Sequence, residues 1–122
     1  MEENSLLFQV HKKRQDWQKK LDFYQDELLI LRKELFITSE THPDLPSVIE
    51  HVQEYRQIIK KKLDHIDEFK FKLLMNEKQT DTSDDQKMKD QIKELEEEFN
   101  SFEQKITELK GHLRRFISRN MK

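Results

Sequence analysis

An all-α fold, an antiparallel up-down-up bundle of three long coiled-coil-like helices, is predicted by three observations. Apolar residues step by three and four, without a break, through three separate segments of similar length. Only an α-helix puts such residues on one stripe. The chain has one Gly and two Pro, so few breakers interrupt its helices. Two short polar stretches separate the segments, and three equal helices joined that way run up, down, up around one core. The expected helices are about 5–37, 45–78 and 84–119, in a single domain over 1–122, with a left-handed twist.

The first segment carries the seam Leu7, Val10, Arg14, Trp17, Leu21, Tyr24, Leu28, Leu31, Leu35. Ser5 is its expected N-cap. The stretch from Thr38 to Asp44 reads as a loop holding Pro43. Asp44 is placed to cap the second helix, with Leu45 and Pro46 in its first turn. The second seam is Leu45, Val48, Val52, Tyr55, Ile59, Lys62, Ile66, Phe69, Leu73. A polar linker follows, and Ser83 with Gln86 reads as a capping box for the third helix. Its seam is Met88, Ile92, Leu95, Phe99, Phe102, Ile106, Leu109, Leu113, Phe116. Acidic residues crowd its first half and basic residues its second, as the helix dipole favours. All seam positions except Arg14 and Lys62 are apolar or aromatic, which a disordered chain of the same charge content would not maintain.

Composition narrows the function. The 23 basic and 25 acidic residues nearly cancel, so there is no global attraction to nucleic acid. There is no Cys, hence neither a disulfide framework nor thiol chemistry. The longest apolar run, Leu28 to Leu31, is far too short to span a bilayer. The acidic start, Met1 to Ser5, does not read as a secretory signal. A cytoplasmic protein is expected. No Gly-rich loop or nucleophile elbow occurs, and neither an enzyme nor a cofactor is expected. The one glycine, Gly111, falls inside the third helix and costs about 1 kcal/mol there relative to Ala.

Trp17 in the seam of a long first helix, with Leu7, Val10, Leu21 and Tyr24, resembles the spectrin repeat. That resemblance implies a three-helix fold and a scaffolding role. Trp17, Leu21 and Phe23 also form a W-x-x-x-L-x-F pattern similar to that of short bacterial helical proteins, which implies no activity.

Four features are candidates for function. The foremost is the back of the first helix. At positions b and c of the heptad abcdefg lie Phe8, Phe23, Leu29, Ile30, Phe36 and Ile37. A bundle helix facing water carries a polar back, so this strip reads as an interface. Phe23, Leu29, Ile30, Phe36 and Ile37 are its expected contacts, for a homodimer or another protein. Ile117 and Met121, at the same end of the bundle, are expected to join it.

The two charged seam residues come next. Loop lengths put Arg14 level with Phe69 and opposite Glu96, and Lys62 near Leu21 with Glu103 in reach. Both read as register devices. His51 and His112 are expected at one level, with Glu54 and Glu108 a turn away. They are weak candidates for a metal, and no metal site is expected. Lastly, Lys12 to Arg14 with Lys19 and Lys20, Lys60 to Lys62, and Arg114, Arg115, Arg119 and Lys122 form basic clusters. The last, beside Phe116, Ile117 and Met121, is the alternative functional surface, for nucleic acid or an anionic membrane. Nucleic-acid binding is not expected, because acidic residues interleave elsewhere.

Overall fold

The computed structural model describes residues 2–80 and 84–120. Three helices account for nearly all of them: α1 Glu2–Thr41, α2 Pro46–Thr80 and α3 Asp85–Asn120. They form a three-helix bundle, in which α1 lies closest to both neighbours and α2 and α3 approach each other least.

The predicted seams are the core. Val10, Trp17, Leu21, Leu28, Leu31 and Leu35 of α1 are buried with their counterparts from α2 and α3 in one apolar cluster. One aromatic from each helix forms a central layer. Trp17 meets Phe69 edge-on at 6.4 Å and Phe99 at 5.9 Å, and the two phenyl rings lie 5.7 Å apart. Such pairs add about 0.5–1.5 kcal/mol each to the burial of their area.

The helix boundaries differ from expectation where side chains replace backbone partners. The described α1 begins at Glu2 rather than at Ser5, and it continues through Thr38–Thr41, read from sequence as loop. The hydroxyls there bond back into the helix: Thr38 Oγ1 to the Glu34 carbonyl at 2.9 Å, Ser39 Oγ to Phe36 at 2.8 Å, Thr41 Oγ1 to Ile37 at 2.8 Å. These bonds satisfy groups that otherwise compete with a helix. Thr38 continues the seam beyond Leu35 and is buried. The chain then reverses within His42–Leu45, where the Leu45 amide donates to the His42 carbonyl at 3.3 Å and Pro43 holds the second turn position. Leu45, not Asp44, is the N-cap of α2: its carbonyl accepts from Val48 at 3.0 Å and Ile49 at 3.2 Å. Pro46, lacking an amide hydrogen, follows at the first helical position. Leu45 therefore stands outside the seam, exposed. For α3, Ser83 lies outside the described residues. Asp84 is the cap, its Oδ1 accepting from the Lys87 amide at 2.7 Å, while Gln86 bonds Asp90 instead.

The later turn changes which residues face each other. Trp17, rather than Arg14, stands level with Phe69, a slip of about one helical turn. Arg14 meets Asn76 rather than Glu96: Nε donates to Asn76 Oδ1 at 3.0 Å, and Asn76 Nδ2 donates to Gln91 Oε1 at 3.2 Å. A buried polar chain thus crosses all three helices. Asn76 continues the α2 seam past Leu73, which the sequence reading ended too early.

Candidate interaction surface

The outer face of α1 is built by the same periodicity that makes the core. Positions a and d turn inward, so b, c and f turn outward. The b and c side chains of the last two-thirds of α1 stand in solvent: Phe23 is 59% exposed, Ile30 58%, Phe36 51%, Ile37 44% and Leu29 37%. Phe8, nearer the N-terminus, is 69% exposed. Neither the α1–α2 turn nor a rotation of α1 covers them. Large apolar side chains clustered this densely on one face mark contact surfaces in soluble proteins.

The side of α1 facing α3 carries a charge ladder. Lys13 pairs with Glu96 at 3.2 Å, Lys20 with Glu103 at 3.6 Å and Glu27 with Lys110 at 3.0 Å. Both partners step by seven, so the rungs repeat with the heptad and confirm that α1 and α3 run parallel. The sign inverts at the third rung, where α3 changes from acidic to basic. Glu27 also holds Arg114 at 3.2 Å. Tyr24 Oη donates to Glu103 at 2.6 Å. Burial, then the neighbouring Glu103 and Glu27, push the Tyr24 phenol well above its ordinary range. Lys110 Nζ lies 5.4 Å and 5.8 Å from the Tyr24 and Phe23 ring centres. The ladder thus reaches the edge of the apolar strip. Sequence reading missed it, although Lys13, Lys20 and Glu27 stand opposite Glu96, Glu103 and Lys110 at one constant separation.

The other candidates fare differently. Ile117 is buried in the core because the α3 seam steps by four from Leu113 to it, leaving the predicted seam residue Phe116 half-buried, so it does not join the outer face. Met121 lies outside the described residues. Glu96 serves Lys13, and Glu103 serves Tyr24 and Lys20, so neither meets its expected partner, Arg14 or Lys62. Lys62 sits half-buried near Lys105, and desolvation followed by that like charge lowers its pKa. His51 and His112 are both exposed. His51 Nδ1 meets the Ser47 carbonyl at 2.6 Å and its ring leans on Phe116, while Arg115 donates to His112 Nδ1 at 3.2 Å. Among the described residues, no three His, Asp or Glu side chains come together as metal ligands. In the C-terminal basic cluster, Arg114 is held by Glu27 and Arg115 by His112.

A second exposed apolar cluster, Phe71, Leu74 and Met75, lies on α2 in the opposite half of the bundle. Its spacing of three and four was a legible signal that the seam overshadowed. Among the described residues no helix is long and apolar enough to cross a membrane. No protein-family model matches the chain, and no curated protein or solved structure is significantly similar to it.

Proposed function

We propose that this protein is a non-enzymatic interaction module, a cytoplasmic helical scaffold that self-associates through the outer face of α1. The exposure of Phe23, Leu29, Ile30, Phe36 and Ile37 on one face, in a bundle whose core is already closed, carries this reading. Fully burying such a side chain contributes roughly 1.5–3 kcal/mol, from which the entropy of association must be subtracted. Each copy brings five of them, about half exposed, and their burial must exceed the entropy of association. A twofold dimer sets the strip against its own copy and needs no other surface. The likeness to spectrin repeats supports a structural role of this kind.

Sedimentation over a concentration series tests the reading. The wild type should be at least dimeric at micromolar concentration. Ile30→Glu with Phe36→Glu should yield a folded monomer, because both side chains face away from the core. A wild type that stays monomeric at every concentration would refute the reading.

A further inference from the structure

We infer that the second copy docks antiparallel on α1, about a twofold axis between Leu29 and Ile30, and that charges at the outermost heptad position set this geometry. The inference rests on the self-association reading and adds the orientation and register of the partner.

The apolar strip is not continuous. Its b and c columns flank the f column, which reads Lys12, Lys19, Asp26, Lys33, Glu40, the last four lying within the apolar stretch. All four side chains are exposed. The inward-leaning ladder residues Lys13, Lys20 and Glu27 each have an ion-pair partner. Among the described residues, none of the four f-position charges has one within its own chain. They alternate in sign at intervals of seven, down the middle of a face that is otherwise apolar. A charge enclosed by apolar contacts is costly unless an opposite charge meets it.

Only one arrangement of two copies supplies that charge at every level. With the twofold between Leu29 and Ile30, Asp26 faces the partner's Lys33 and Lys19 faces the partner's Glu40. Symmetry repeats both pairs. The same axis keeps each flank on its own side, so Phe23 meets the partner's Ile37, Ile30 meets the partner's Ile30 and Leu29 meets the partner's Leu29. Phe36 lies over the partner's Asp22, whose carboxylate is already turned to Lys70 at 2.6 Å. Sliding the copies by one heptad in one direction puts Asp26 on itself and Lys19 on Lys33. Sliding them the other way puts Lys33 on itself and Asp26 on Glu40. A parallel pair sets every charge against its own copy. Like charges brought together across an interface exclude the wrong partner more strongly than matched ones favour the right one. The contact runs from Lys19 to Glu40, about 33 Å of helix, and makes a six-helix assembly with the two α1 helices back to back.

The test uses the full chain in low salt. Asp26→Lys alone and Lys33→Asp alone each set like charges opposite one another. Each should weaken the dimer at least about tenfold while leaving helicity unchanged. An equimolar mixture of the two single variants should form a heterodimer of wild-type affinity, and the double swap Asp26→Lys with Lys33→Asp should also restore the dimer. Orientation is read separately, because the chain has no cysteine. Oxidation should join an Asp26→Cys chain to a Lys33→Cys chain, and should not join Asp26→Cys chains to each other. If Ile30→Glu with Phe36→Glu abolishes a dimer that neither charge variant weakens, the outer face still mediates association and the antiparallel geometry is wrong. Cross-linking of Asp26→Cys to itself overturns the geometry in the same way. A monomeric wild type overturns both the geometry and the reading beneath it.

Discussion

Trp17 shows how much one side chain contributes here. It is 7% exposed and touches an aromatic ring from each of the other helices. Trp17→Ala should cost about 3–5 kcal/mol in urea unfolding, a large share of the stability of a small domain. The wild-type emission should be blue-shifted and should move to the red only on unfolding. Gly111 illustrates the opposite case. A Cβ built there meets nothing nearer than an Arg115 guanidinium nitrogen at 4.0 Å, and the helix backbone gains no benefit from glycine. Gly111→Ala should raise stability by about 0.5–1 kcal/mol, measured as a higher urea midpoint with an unchanged slope. Tyr24 adds a pH dependence. Its folded pKa is raised, so its contribution is complete below about 10, the value for an unfolded tyrosine. That contribution is lost as pH rises further, because the unfolded chain releases the proton first. Wild type should lose stability relative to Tyr24→Phe as pH climbs above about 10, as thermal midpoints of the two proteins would show.

Between helices, the ladder separates burial from mere pairing. Lys13 and Glu96 are each 47% exposed, whereas Glu27 and Lys110 are only 15% and 16% exposed. Lys13→Ala should therefore change stability by no more than about 1 kcal/mol. Glu27→Gln strands Lys110 and Arg114 and should cost about 1–3 kcal/mol by chemical unfolding. Added salt should shrink the first effect more than the second. The seams by themselves permit α1 and α3 to slide by a heptad. The sign inversion between Glu103 and Lys110 penalises such a slide, since it would set Lys20 against Lys110 or Glu27 against Glu103. The buried Arg14–Asn76–Gln91 chain serves the same end, because a shifted register would leave polar groups in the core without partners.

At the scale of the whole molecule, the proposed dimer couples association to stability. If two folded chains associate and unfolded ones do not, the melting temperature must rise with protein concentration. Differential scanning at several concentrations should show that rise in wild type and none in Ile30→Glu with Phe36→Glu. The three helices, their seams and the exposed back of α1 were all legible in the sequence. Each depends on a periodicity of three and four that survives any choice of neighbour, and solvation acts on it residue by residue. The tertiary structure decided the level at which the helices meet. Thr38, Ser39 and Thr41 have weak helix propensity, and their hydroxyl bonds to the preceding turn with the burial of Thr38 carry α1 onward to Thr41. That extension moved the turn, which gave Arg14 to Asn76 and Glu96 to Lys13. It also left Leu45 outside the core, while the continuing α3 seam drew Ile117 into it. Local pattern determines which face of a helix is apolar. Which residues stand opposite one another depends on where the chain reverses, and that reversal is stabilised by contacts between segments far apart in sequence, such as His42 with the Asn120 carbonyl.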